Sequence, residues 1–253
     1  MPHPRTNQAR RRALTATPSN RYAREVTVRP LLLLDCAVEP YGSLDEFGRF
    51  LGTGPLEVLR AAHDDLPEQL GDVAGIVITG SAASVYEREP WSEACVDLLR
   101  DAIDRDIPTL GVCYGHQLLG EAAGGHNSVI RMPSPEVGFR RIHLRRGDPL
   151  FDALPERFVT YQTHGDGVVR RPGFEVWASN EHWPVQAIRV PGKRAWGVQF
   201  HTEFRPETQL ELMQRRLVKH PGLRLDPMAE MEGRPDTEAQ ATALFGRFLE
   251  LLE

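Results

Sequence analysis

Residues 108–125, PTLGVCYGHQLLGEAAGG, constrain this chain more than any other stretch. Small and β-branched apolar residues lead to one cysteine, Cys113, set between Gly111 and Gly115. Helix-like sequence follows, with Gln117, Leu118, Leu119, Ala122 and Ala123 ahead of Gly124 and Gly125. The pattern predicts a buried strand, a sharp turn carrying Cys113, and a helix. Glycines at 111 and 115 suit such a reversal because neither adds a Cβ to the crowding. Cys113 then sits at the positive end of the helix dipole, a setting that favours thiolate over thiol. A thiolate needs a proton shuttle to do acyl chemistry, so a histidine must come from elsewhere.

The best candidate lies in WGVQFHTE, residues 196–203. Alternating bulky residues predict a strand that delivers His201 at its end, with Glu203 two positions on. A Cys–His pair whose imidazole is oriented by a carboxylate is the arrangement of acyl transfer on a thiol. Such partners usually lie far apart in sequence. Cys36 and Cys95 lack the glycine flanks, and Cys95 falls on an apolar helix face, so both read as core.

GVCYGHQ followed much later by GVQFHTE resembles the class I, triad-type glutamine amidotransferases, including the glutaminase domain of GMP synthase. Their signatures are a G-x-C-x-G-x-Q elbow and a G-V-Q-F-H-P-E strand end, and the likeness spans residues 31–206. Thr202 stands where the family usually has proline. The resemblance implies a three-layer α/β fold, flavodoxin-like, with a mostly parallel central sheet and antiparallel additions. It implies Cys113 as nucleophile, His201 as general base and acid, and Glu203 as the group that sets the imidazole tautomer. The oxyanion is then held by the N–H of Tyr114 and by a donor in the turn Gly80–Ser81–Ala82, where the family commonly has G-G-P. Serine at 81 must tolerate whatever φ that turn requires. Gln117 resembles the residue that contacts bound glutamine. Residues 162–166, QTHGD, look like the loop that holds the substrate's amino-acid end, with Thr163, His164 and Asp166 as its contacts; a tight solvated turn is the competing reading. No His/Cys cluster accompanies His164, which argues against a metal there, and the thioester mechanism that the resemblance implies needs neither a metal nor an organic cofactor.

The rest of the chain fits this frame. Residues 31–35 read as a strand apolar on both faces, residues 43–51 as a short helix with Ser43 as N-cap and Glu46 three positions on. Residues 55–62 and 74–79 are strands. Trp91, Cys95, Leu98, Leu99 and Ala102 recur at helical spacing. Strand and helix in this rhythm predict a parallel sheet with right-handed crossovers. After Gly125 the rhythm changes to strands at 137–144, 158–163, 174–178, 185–190 and 195–201. Helices resume at 207–219 and after Pro235. Residues 86–91 and 132–138 carry no readable pattern.

A chain of 253 residues accommodates one α/β domain, expected over 26–253. Residues 1–24 hold six arginines and no Asp or Glu, which predicts a basic, flexible leader over 1–25, with a transit peptide as the alternative. A net charge of −5 argues neither for nucleic acid nor for an acidic membrane surface, and no apolar run is long enough to span a bilayer. Three cysteines without disulfide spacing fit a reducing, cytoplasmic setting. The expected substrate is glutamine or another γ-glutamyl amide. No phosphate-loop or adenylating motif follows, so released ammonia goes to a separate synthase subunit, or water is the sole acceptor and the chain is a γ-glutamyl hydrolase. A catalytically silent binding module is the third reading, and the complete Cys113–His201–Glu203 set argues against it.

Overall fold

A computed structural model describes residues 28–39 and 43–252. The leader expected over residues 1–25 lies outside the described residues. Nine strands form one sheet: β1 (Leu31–Asp35), β2 (Leu56–Arg60), β3 (Gly75–Ile78), β4 (Thr109–Val112), β5 (Val129–Leu144), β6 (Arg157–Val168), β7 (Glu175–Ser179), β8 (Ala187–Arg189) and β9 (Ala195–Val198). Their order is β2-β1-β3-β4-β9-β8-β7-β5-β6. The first five in that order are parallel, and every pairing from β9 onward to β6 is antiparallel.

Apolar runs in the inner strands supply both faces of the sheet. Leu32 and Leu34 join Ile76 and Ile78 beneath α2 (Pro90–Asp104) and α3 (Tyr114–Gly124). Leu31 and Leu33 join Val77, Leu110 and Val112 on the other face, against Phe47 of α1 (Ser43–Gly48) and Leu244, Phe245 and Phe248 of α6 (Thr237–Glu250). Alternation along a strand thus feeds two cores, which makes the three layers. In this arrangement the strand ends matter most. Parallel β3, β4 and β9 all point the same way, so the turns after them emerge on one edge, where open α/β sheets bind ligands.

Several boundaries depart from expectation. Residues 162–166 are neither a loop nor a solvated turn: β6 runs straight through them, paired with β5 at Glu136↔His164 and Gly138↔Gln162. Their backbone is held by this ladder, and their side chains are buried by hydrogen bonds rather than apolar packing, to which a hydrophobic pattern is blind. Strand β5 likewise starts at Val129 and accommodates a register shift between Arg131 and Glu136. Ser43 is the first residue of α1 rather than its cap, and Glu46 is buried, accepting from Thr208 and from the Arg205 backbone. The short helix α5 (Pro227–Glu232) is new, capped by the Asp226 carboxylate on Met228 and Ala229; α4 (Pro206–Lys219) lies where a helix was expected. Cys36, Cys95 and Cys113 are free and buried. Among the described residues no helix is long and apolar enough to cross a membrane.

Candidate active site

Cys113 is the N-cap of α3, at φ 53° and ψ −97°. This is a sparsely populated conformation for a residue with a Cβ, and such positions cost about 1–3 kcal/mol. Three backbone bonds impose it. Cys113 N donates to Val198 O at 2.8 Å, Gly115 N to Thr79 O at 3.1 Å, and Gln117 N to Cys113 O at 3.1 Å. The glycines permit the approach: a Cβ on Gly111 would lie 2.4 Å from the Gly115 carbonyl, and one on Gly115 would lie 2.6 Å from Ile78 O. Tyr114 opens the helix, so its N–H has no helical carbonyl to serve. Its ring turns into the core, where the hydroxyl donates to Ser92 Oγ at 2.8 Å.

His201 arrives at the same edge from β9, which ends at Val198 and bends through Gln199 and Phe200. The His201 backbone is clamped to β6, its N–H donating to Tyr161 O at 2.9 Å and its carbonyl accepting from Thr160 Oγ1 at 3.1 Å. The imidazole is set by two neighbours: Nδ1 meets Glu203 Oε1 at 2.6 Å, and the Phe204 ring stacks on it at 4.3 Å and 21°. Its Nε2 is buried, and the Cys113 side chain acts on the imidazole through charge and a side-chain hydrogen bond. Burial alone would push the imidazole down; the Glu203 carboxylate, and Cys113 after it, instead raise it to about 10. Cys113 and His201 line one cavity of about 240 Å³ together with Gly80 and Ser81.

Thr202, the departure from the family's proline, has a use. Its N–H donates to the second Glu203 oxygen at 2.9 Å. Proline carries no such donor. Thr202→Pro should therefore destabilise the chain by about 1.5–3 kcal/mol, the worth of a hydrogen bond to a charged group, read as a lower urea midpoint with unchanged slope.

The turn Gly80–Ser81–Ala82 needs no glycine at 81. None of the three has a positive φ, so serine sits there without strain. Ser81 Oγ accepts from Ala83 N at 3.2 Å, and the turn is tethered upstream by Thr79 Oγ1, which accepts from Cys36 N at 2.9 Å.

A second cavity, of about 380 Å³, also reaches Cys113 and is lined by Gln117, Arg131, His164 and Asp166. Here a hydrogen-bonded chain runs to the sulfur. His164 Nε2 meets Glu136 Oε2 at 3.1 Å, and its Nδ1 donates to Asp166 O at 2.8 Å. Gln117 Nε2 donates to the same Asp166 O at 3.1 Å and lies 3.2 Å from Gln199 Oε1, whose own Nε2 is 3.6 Å from Cys113 Sγ. Burial would raise the Glu136 carboxyl, but His164 and Asn180 outweigh it and hold the group low. Asp166 is raised by burial, an effect that Ser84, Arg131 and Arg216 only partly oppose. Thr163 faces the first cavity and holds Arg216, its hydroxyl accepting from Nε at 3.2 Å and its carbonyl from the guanidinium at 2.9 Å.

Every residue singled out in the sequence thus reaches one of two cavities that meet at Cys113, except Glu203 and Tyr114, which lie behind the lining. Gln199 and Glu136 were missed. For Gln199 a signal existed, an amide inside an otherwise apolar strand end. Glu136 falls in residues 132–138, where no pattern could be read.

The sequence model of the glutamine amidotransferase class-I family matches residues 49–220. GMP synthase [glutamine-hydrolyzing] of Lactobacillus delbrueckii subsp. bulgaricus is 35% identical over 158 residues, covering 60% of this chain and 29% of that protein. The protein of the same description from Porphyromonas gingivalis is 38% identical over 144 residues, covering 56% and 27%. The chain therefore matches less than a third of the length of these relatives. In structure, a glutamine amidotransferase from Thermotoga maritima superposes with a TM-score of 0.71 at 23% identity, covering 88% of this chain and 98% of that one. With the family match extending over more than half its length, from before β2 to the end of α4, this chain belongs to the class-I glutamine amidotransferases.

Proposed function

We propose that the chain hydrolyses the side-chain amide of glutamine through a γ-glutamyl thioester on Cys113. One observation carries the reading: His201 and Cys113 line one cavity and their side chains interact, while Nδ1 is held by Glu203. Cys113 Sγ bonds to the γ-carbonyl carbon, and the oxyanion is held by the N–H groups of Tyr114 and Ser81. The C–N bond breaks as the His201 imidazolium gives its proton to the leaving ammonia. Water, giving a proton back to His201, then attacks the thioester, and the sulfur departs as thiolate with release of glutamate. Gln117, Thr163, His164 and Asp166 belong to the walls that hold the amino-acid end. Neither a metal nor an organic cofactor takes part.

The relatives' description as glutamine-hydrolysing GMP synthases supports glutamine as the substrate; a separate, ammonia-consuming synthase as the partner and a cytoplasmic setting complete the reading. Incubating the chain with glutamine should release glutamate, and added hydroxylamine should divert the thioester to γ-glutamyl hydroxamate. Glutamate release without hydroxamate, or neither product, removes the thioester mechanism.

A further inference from the structure

Gln199 stands behind the nucleophile. It follows β9, is fully buried, and lines neither of the two cavities that meet at Cys113. Its backbone is pinned, the N–H donating to Gln186 O at 2.9 Å. A buried amide must find partners for both its ends. Two other buried amides of the sheet find oxygens: Gln162 Nε2 donates to Gln186 Oε1 at 3.0 Å, and Gln186 Nε2 to Glu136 Oε2 at 2.8 Å. Gln199 turns its NH₂ to sulfur instead, 3.6 Å from Cys113 Sγ.

That orientation is dictated from the far end of a chain of hydrogen bonds. The Asp166 carbonyl oxygen can only accept, so the end of Gln117 lying 3.1 Å from it is the NH₂. The same NH₂ lies 3.2 Å from Gln199, which must answer with its oxygen. The NH₂ of Gln199 is left for the sulfur.

We propose that Gln199 is a catalytic residue of this site, its NH₂ stabilising the Cys113 thiolate as that thiolate leaves the γ-glutamyl thioester. The inference rests on the acyl-transfer reading above and adds a group to it. Water that has lost a proton to His201 adds to the thioester carbon. As the carbonyl re-forms, the C–Sγ bond breaks and its electron pair goes to sulfur. The imidazole is by then engaged with the proton it took from water. Gln199 donates from outside the cavities, where incoming substrate does not displace it. No proton leaves the amide; charge grows on the sulfur, and the N–H···S bond strengthens with it.

The two half-reactions feel this donor unequally. During attack on glutamine it enlarges the thiolate fraction but makes the thiolate a weaker nucleophile, and the two effects partly cancel. Expulsion has no such offset, because a stabilised thiolate is the better leaving group. Losing the donor should slow thioester hydrolysis more than thioester formation.

Gln199→Met roughly keeps the volume and offers no donor. Gln199→Asn keeps an amide but falls short of the sulfur by one carbon–carbon bond, about 1.5 Å. With the full chain and glutamine, rapid-quench mass spectrometry follows the γ-glutamyl adduct on Cys113 as it forms and decays. In both variants its decay should slow by about tenfold, the lower end of what a hydrogen bond to a charged group contributes. Its formation should slow by no more than about threefold. In the steady state kcat and KM should then fall together. A KM that rises with kcat unchanged would mean that Gln199 only holds Gln117 against the substrate, and would overturn the inference. Formation slowed as much as decay, or neither slowed, in whichever variant folds, would overturn it too. In each of these cases glutamate release by the parent leaves the acyl-transfer reading standing. A parent that releases no glutamate would bring down both.

Discussion

Cys113→Gly and Cys113→Ala should both lose glutamine hydrolysis by at least about 10⁴-fold, yet the glycine variant should be no less stable than the alanine variant. Ordinarily glycine is the worse of the two by roughly 0.5–1 kcal/mol, because it loses more chain entropy on folding. At φ 53° and ψ −97° the order should level or reverse. Alanine keeps the Cβ and hence the strain, about 1–3 kcal/mol, whereas glycine adopts this backbone freely. The three bonds that impose the turn come from main-chain groups and survive both substitutions. Urea unfolding of the two variants decides the stability half, and glutamate release the other. Alanine more stable by about 1 kcal/mol would mean that the elbow stores no strain; residual turnover in either would remove the nucleophile assignment. Iodoacetamide should modify the parent at Cys113 first, since Cys36 and Cys95 are wholly buried and burial pushes the Cys36 thiol well up.

What could be read before any coordinates were known divides by physical cause. The elbow was legible because steric necessity leaves a residue-level mark: only glycine fits at 111 and 115, and a cysteine between them has little else to do. The parallel half of the sheet was legible because LLLLD, GIVI and TLGV are apolar on both faces. The antiparallel half was harder. Strands β5 and β6 extend well beyond their apolar stretches, since their buried polar residues find protein partners: Glu136 pairs with His164, Gln162 donates to Gln186, and His164 donates to the Asp166 carbonyl. Pattern reading treats such residues as surface or turn, and the resemblance to a substrate-holding loop makes QTHGD a loop rather than part of a strand. The same blindness hid Gln199, whose amide lies beside the sulfur. Residue types announce what they need from solvent; they do not announce which distant partner replaces it.

Glu203→Gln should reduce kcat by about 10²–10⁴-fold and move the alkaline limb of the kcat/KM profile to lower pH. The reasoning runs through His201. In the parent its imidazole is raised from 6.5 to about 10, because the Glu203 carboxylate and Cys113 together outweigh a burial that would lower it. A neutral amide at 203 removes the larger of these supports and leaves the desolvation in place. The imidazolium then loses its proton at lower pH, by roughly 1–3 units, and can no longer supply the leaving nitrogen at mildly alkaline pH. Glutamine at 203 can also turn its NH₂ toward Nδ1, which favours the wrong tautomer for accepting a proton on Nε2. Stability should move with the same sign. A folded value above the unfolded one means that the pairing stabilises the native state fully below about 6.5, and that this is lost as pH rises toward 10. The gap in unfolding free energy between parent and Glu203→Gln should accordingly be wide at pH 6 and narrow at pH 10. A gap constant across that range, or an alkaline limb that stays where it was, would mean that Glu203 orients the imidazole without holding its charge.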